Sequence, residues 1–171
     1  MPMSKITSGI RDATTDAEAE LDGAKAFQEA ILTSDTCTKS CSAKIETPAG
    51  EITVGGVVKG AGMIEPNMAT MLAFLTTDAS VSNPFLQDTL THAVNQSFNR
   101  ITIDGDMSTN DSVLFMANGA SGLSIEKEPA GVRLEFAKAV DAVCACLARK
   151  CVCDGEKVTK FVKVKVAGAP D

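Results

Sequence analysis

The sequence predicts a mixed α/β protein, and three observations predict it. Apolar residues recur at spacings of three and four in three separate stretches, 21–31, 85–98 and 132–147, which is the period of an amphipathic helix. Short β-rich runs bounded by turn residues alternate with them, at 42–47, 51–58 and 161–166. No run leads into the glycine-rich fingerprint of a dinucleotide-binding domain, so mixed layers of helix and sheet are expected.

At 171 residues, 44% hydrophobic and 22% charged, the chain can bury a real core and has about one domain's worth of sequence. It has no Trp or Tyr, so seven Phe and the aliphatic residues must build that core. A net charge of −6 argues against a nucleic-acid partner, which requires a basic face. The apolar run 71–75 falls far short of a bilayer span, and the N-terminus carries neither a signal-peptide core nor an Arg-rich transit pattern. The expectation is a soluble, cytoplasmic protein with no membrane partner.

In chain order, residues 1–11 read as short and mixed, anchored by Ile6 and Ile10, and Thr14-Thr15-Asp16 reads as a cap for the helix that follows. That helix carries Leu21, Ala24, Phe27 and Ile31 on its apolar side and runs out in the polar cluster 32–36. Residues 42–47 and 51–58 read as two strands joined by Pro48-Ala49-Gly50. After the apolar run 71–75, Ser82-Asn83-Pro84 starts a helix bearing Phe85, Leu86, Leu90, Ala93, Val94 and Phe98. The only histidine, His92, lies among polar neighbours in that helix and reads as a surface residue.

Ile101-Thr102-Ile103 reads as a strand. The alternating oxygens of Asp104, Asp106, Ser108 and Asn110 suggest a calcium loop, but Thr109 and Phe115 stand where an EF-hand needs Gly and Glu, leaving a hydrogen-bonded acidic turn. Residues 111–117 read as a strand or a buried helix start, ended by Asn118-Gly119, and 123–128 carry no clear signal. Val132, Phe136, Val140, Val143 and Leu147 mark a helix ending at Arg149 and Lys150, whose charges suit the dipole there. Asp154-Gly155-Glu156 is a turn, and 161–166 a final strand with Val162, Val164 and Val166 on one face.

Six cysteines, Cys37, Cys41, Cys144, Cys146, Cys151 and Cys153, raise the question of a metal. Only the first pair has zinc-knuckle spacing; Cys144 and Cys146 point to different faces of a helix, and Cys151 and Cys153 follow its end. Free thiols acting as small apolar residues are expected, and no metal.

The rest of the chain is organised around residues 59–78, KGAGMIEPNMATMLAFLTTD. A glycine-bearing turn (Gly60, Gly62) and the Pro66-Asn67 pair deliver a hydroxyl, Thr70, to the head of an apolar run, with Lys59 nearby. That arrangement suits acyl transfer, and it equally suits an ordinary tight turn.

This segment, from Lys59-Gly60 through Pro66-Asn67-Met68-Ala69-Thr70-Met71-Leu72, resembles the processing site of the ornithine acetyltransferase (ArgJ) family, which is cut between Ala and Thr. The likeness extends through 97–111 and 147–150 and covers essentially the whole chain. It implies cleavage between Ala69 and Thr70, so that 1–69 ends an α-chain portion and 70–171 starts a β-chain portion of one partial domain, 1–171. Thr70 is then the nucleophile. Its freed α-amine, with an ordinary pKa of about 7.7–8.0, acts as base for its own hydroxyl.

The resemblance further implies acetyl transfer from N-acetylornithine to glutamate in arginine biosynthesis, with acetyl-CoA as an additional donor and no metal or organic cofactor. Thr33, Lys59, Thr70 and Glu156 match substrate-binding positions: Lys59 suits a substrate carboxylate and Glu156 a substrate ammonium group. Lys157 and Val158 stand where the family shows Gly-Ala. The resemblance implies an αββα sandwich whose cleaved α and β chains stay together as a hetero-oligomer. The family's upstream oxyanion-hole segment and its C-terminal substrate-binding segment are not among these residues, so the sandwich is expected to be incomplete. The alternative expectation is an inactive fragment, or a remnant acting through assembly alone.

Overall fold

A computed structural model describes residues 2–17, 21–65 and 71–168. Ala69 and Thr70, the expected cleavage site, lie outside the described residues. Contacts divide the chain into two units, Met1–Ile31 and Leu32–Asp171.

The first unit holds two helices, α1 (Met3–Thr15) and α2 (Leu21–Ala30). Residues 1–11, read as short and mixed with Ile6 and Ile10 as anchors, lie mostly in the first helix, where Ile10 is 62% exposed and anchors nothing. Thr14 and Thr15 finish it instead of capping the next one: their hydroxyls donate back to the carbonyls of Ile10 (2.8 Å) and Arg11 (3.1 Å). Such back-bonding lets threonine serve a helix interior that its propensity alone disfavours.

The second unit is built on a four-stranded sheet in the order β1 (Lys39–Thr47), β2 (Gly50–Lys59), β3 (Leu72–Thr77), β4 (Ser112–Ala117). β1 and β2 form an antiparallel hairpin, β2 and β3 are antiparallel, and β3 and β4 are parallel. The parallel pair requires a crossover, which α3 (Asn83–Gln96) supplies with Pro84 in its first turn. A 3-10 turn at Phe98–Arg100 follows. The unclear stretch at 123–128 resolves into a bridge between Ser80 and Ser124 and a 3-10 turn, Ile125–Lys127.

The long helix α4 (Ala130–Cys153) lies over β1 and β2. Its Phe136, Val140, Val143 and Leu147 share one core with Ile52, Val54 and Val58 of β2 and with Ala73 and Leu75 of β3. The Phe136 ring stacks on Phe115 of β4 at 6.3 Å and 8°. At Gly56 the helix comes so close that an added Cβ would lie 2.9 Å from Leu147 Cδ1.

Three expectations are corrected here. Helix α4 continues past Arg149 and Lys150 to Cys153, so Cys151 is a buried helical residue and not part of a following loop. Lys150 instead reaches across to the Ser40 carbonyl of β1. Ile101-Thr102-Ile103 is not a strand. Its backbone is used by single bonds, Ile101 N–H to Phe98 O and Ile103 N–H to Ile64 O, while Ile101 and Ile103 pack on the core. Residues 161–166 form no strand either: Val162, Val164 and Val166 are 73–80% exposed, and the tail's described contact is the Arg149 guanidinium over the Phe161 ring at 5.1 Å. An alternating pattern states a face to be covered; it does not supply the neighbouring strand.

Candidate functional site

One end of the sheet gathers the residues singled out in the sequence. The strand register sets Lys59 opposite Leu72, and Leu72 beside Ser112. The end of β2 and the beginnings of β3 and β4 therefore meet, and the loop 60–65 leaves from the same place that Met71 enters.

Two carboxylates and one backbone N–H, from three distant parts of the chain, hold that loop. Asp35 Oδ1 accepts the Gly60 N–H at 2.6 Å. Asp104 takes the Met63 N–H at 2.5 Å and the Ile64 N–H at 3.1 Å. Glu156 joins through its backbone, its N–H donating to Ala61 O at 2.7 Å, while its side chain lies against Gly62, where an added Cβ would stand 3.1 Å from the carboxyl carbon. Gly60, at φ 151, needs the freedom only glycine has. Met63, at φ 57, is held in the left-handed region by its bond to Asp104.

Asp35 belongs to a buried ion triad. Lys39 Nζ lies 2.6 Å from Asp35 Oδ1 and 2.5 Å from Asp154 Oδ2, and the three side chains are at most 7% exposed. Asp154 also accepts the Thr36 N–H at 3.0 Å and the Thr36 hydroxyl. Burial pushes the Asp35 carboxyl upward, but Lys39 and the N–H groups of Gly60 and Thr33 outweigh it and hold the group down at about 2. Asp154 is lowered by the same balance against burial, through Lys39 and Thr36. Lys39 is raised, because its bonds to Asp154 and Asp35 overcome its own desolvation.

Thr33, Lys59 and Glu156 are thereby brought together. The Thr33 N–H donates to Asp35 Oδ2 at 3.2 Å, so the carboxylate that holds Gly60 also holds Thr33. Lys59 is 6% exposed, and among the described residues its ammonium has no ion pair or hydrogen bond, leaving it available to an anionic group. Glu156 is exposed. Lys157, read from sequence as a bulky residue in a glycine's place, has φ 59, a left-handed conformation that glycine adopts without cost.

Beyond the segment 66–70, Asp111 Oδ1 accepts the Met71 N–H at 2.6 Å. Burial raises the Asp111 carboxyl above its usual range, opposed by the Met71 N–H and the charge of Lys59. Asp111 and Met71 also line a cleft of about 340 Å³ whose far wall is α3, with Gln87, Thr91 and Asn95. Sequence reading missed Asp35, Lys39, Asp154 and Asp111 as site residues. The signals present were the Asp35/Lys39 spacing of four and the position of Asp111 at the head of a strand.

Among the described residues no group of three or more His, Cys, Asp or Glu can hold a metal, and no helix is long and apolar enough to cross a membrane. Burial raises the Cys144 and Cys151 thiols to about 12, which suits small apolar core residues.

Fold and site define a mixed α/β protein in which a carboxylate-clamped glycine loop meets the entry of a central strand. A model of the ArgJ family matches residues 1–171. The chain is 46% identical over 169 residues to the arginine biosynthesis bifunctional protein ArgJ of Halalkalibacterium halodurans, aligning 99% of this chain with 41% of that protein. It is 44% identical over 171 residues to the protein of the same name from Lactococcus lactis, aligning 100% of this chain with 42% of that one. A crystal structure of the Bacillus halodurans ArgJ protein matches with a TM-score of 0.47 and 42% identity, covering 51% of this chain and 41% of that chain. The chain belongs to the ArgJ family. It spans about two fifths of the length of the curated relatives it matches.

Proposed function

We propose that the chain is the central part of an acetyltransferase of arginine biosynthesis, which passes an acetyl group from N-acetylornithine to glutamate through Thr70 and also accepts acetyl-CoA as donor. Cleavage between Ala69 and Thr70 frees the α-amine of Thr70. That amine then accepts the hydroxyl proton as Oγ attacks the acetyl carbonyl, forming an acetyl-ester and releasing ornithine. Glutamate's amine attacks the ester in turn and regenerates the hydroxyl. Lys59 binds the amino acid's carboxylate, Glu156 its ammonium group and Thr33 the substrate beside them, with no metal or organic cofactor. The two cleaved portions, 1–69 and 70–171, remain associated as a cytoplasmic hetero-oligomer.

The observation that carries this reading is the convergence of Thr33, Lys59 and Glu156 on one loop, beside the point where the chain re-enters the sheet at Met71. The Lys59 ammonium, without an ion pair among the described residues, and the exposed Glu156 carboxylate match the two charges of an α-amino acid. The names of the relatives in the ArgJ family point to the same pathway.

The test is the mass and activity of the full-length protein. Wild type should separate into two fragments meeting at Ala69/Thr70 and transfer acetyl from N-acetylornithine to glutamate, whereas Thr70→Ala should stay intact and transfer none. An uncut wild type without transfer supports an assembly-only remnant instead.

A further inference from the structure

Two of the six thiols, Cys41 of β1 and Cys146 of α4, take no part in the proposed chemistry, yet the fold sets them against each other. In the antiparallel register Cys41 lies directly opposite Gly56, and directly opposed residues point to the same face of a sheet. That face is the one on which α4 rests, since a Cβ added at Gly56 would meet Leu147 and Val143. Strand and helix also run past each other in register. Lys39 pairs with Asp154, the Ser40 carbonyl accepts from Lys150, and the Cys41 thiol shares a hydrogen bond with that of Cys146. Each step along β1 is thus matched by one turn of α4 in the reverse direction.

From this packing we propose that Cys41 and Cys146 form a redox clamp: a hydroperoxide oxidises the pair to a reversible disulfide that locks α4 onto β1. In a reducing compartment both remain thiols, and the bond forms only while oxidant is present. The clamp acts on elements that the buried ion triad already joins, because β1 begins at Lys39 and α4 is followed directly by Asp154. Cys41 lies within 1–69 and Cys146 within 70–171, so in a cleaved chain the same bond keeps the two portions covalently joined. The clamp itself does not depend on that cleavage.

Accessibility and contact together single out this pair. Cys41 and Cys146 are both half-buried, so a small oxidant reaches them while their neighbours hold them in place. Cys144 and Cys151 are buried, and burial pushes their thiols up to about 12, which keeps them protonated and inert. Cys37 and Cys153 are exposed and flank the Thr36–Asp154 contact, which makes them the competing pair for any test to exclude.

The Cys41 thiol is pushed up to about 11, by burial first and then by its bond to Cys146, so Cys146 meets the oxidant first. Its sulfur attacks an oxygen of hydrogen peroxide, the O–O bond breaks, and the products are a sulfenic acid and water. That conversion removes the thiol that helps to hold the proton on Cys41, while the charge of Lys150 favours its release. The Cys41 sulfur then attacks the sulfenic sulfur. The S–S bond forms as the S–O bond breaks, and the hydroxyl leaves as water with the proton of Cys41. Two electrons have passed from the sulfurs to the peroxide, and a dithiol reductant returns them by exchange.

The experiment treats the reduced full-length protein with hydrogen peroxide, alkylates the remaining thiols in denaturant and maps its peptides by mass spectrometry without reduction, while calorimetry follows the melting temperature. The expected result is a peptide pair joined at Cys41 and Cys146, lighter by two hydrogen atoms than its reduced parts and split by dithiothreitol, with Cys144 and Cys151 alkylated. The oxidised protein should melt about 2 °C or more above the reduced one, and Cys146→Ser should lose both the joined peptides and the rise. Sulfinic acid at Cys146 without joined peptides, or a bond from Cys37 to Cys153 in place of the expected one, overturns the pairing. A bond that leaves the melting temperature unchanged or lowered overturns the clamp. If Cys146→Ser fails to fold, the wild-type map decides: no joined peptide overturns the proposal. None of these readings involves acetyl transfer, so their failure is distinct from a failure of the proposed function.

Discussion

Lys39 is 1% exposed and carries a full charge, an arrangement that survives only because both neighbouring carboxylates are already in place. Asp35 and Asp154 in turn hold the N–H groups of Gly60, Thr33 and Thr36, so the loop before β1, the loop after β2 and the end of α4 are tied to one buried cation. Replacing Lys39 with Met keeps the apolar stem and removes the charge, leaving two buried carboxylates facing each other. Breaking a buried pair in this way costs about 3–5 kcal/mol, so Lys39→Met should melt about 6–20 °C below wild type. Calorimetry checks this, and a shift under about 2 °C would mean that the triad is better hydrated than its burial indicates. The residues that touch substrate in the proposed function announced themselves in the sequence by their local motifs. The residues that hold them did not: Thr36 and Asp154 are 118 positions apart, and no short pattern encodes such a pair.

Elements were legible where one face is buried by neighbours close in sequence. The hairpin β1–β2 and the helices α3 and α4 follow from apolar period and turn residues, because the same periodicity that marks them is what the core uses, whereas α2 has the period with Phe27 43% exposed. Reading failed where the decisive partner is remote or the pattern ambiguous. Helix α4 runs a turn beyond its dipole-compensating Lys150 because Cys151 still faces the core, and apolar burial outweighs a surface charge worth a few tenths of a kcal/mol. Gly56 shows the packing side of the same balance. It lacks any turn role, yet an added Cβ would stand 2.9 Å from Leu147 and 3.3 Å from both Leu75 and Val143, so glycine is what lets α4 lie close on β2. Gly56→Ala should therefore destabilise by about 1–3 kcal/mol through overpacking, despite alanine's lower backbone entropy cost. A denaturant melt that shows stabilisation instead would mean that the Leu147 side chain swings aside freely.

For the molecule as a whole, net charge sets one direction of pH dependence and the hydrogen-bonded carboxylates another. At −6 the chain repels itself less as acid neutralises it, which alone would favour the folded state. Asp35, Asp154 and Asp104 act oppositely. Their folded pKa values lie below the ordinary carboxylate value of about 3.9, so each contributes stability that is complete above that value and is lost as pH falls through the folded one. Asp111, raised by burial, has the reverse sign and weakens the fold as it ionises. With Glu126, lowered by the Ser82 N–H and hydroxyl, four lowered carboxylates stand against one raised and predict a net loss of stability on acidification, concentrated between about pH 4 and the Asp35 value of about 2. The contribution of Asp35 can be isolated by comparing wild type with Asp35→Asn. The variant should melt lower at pH 7, and the gap should narrow as pH drops toward 2, because the wild-type carboxyl is itself becoming neutral. Circular dichroism melts at pH 7, 4, 3 and 2.5 measure that gap directly. A gap constant across this range would assign the cost of Asp35→Asn to lost geometry at Thr33 and Gly60 and remove charge from the account of the triad.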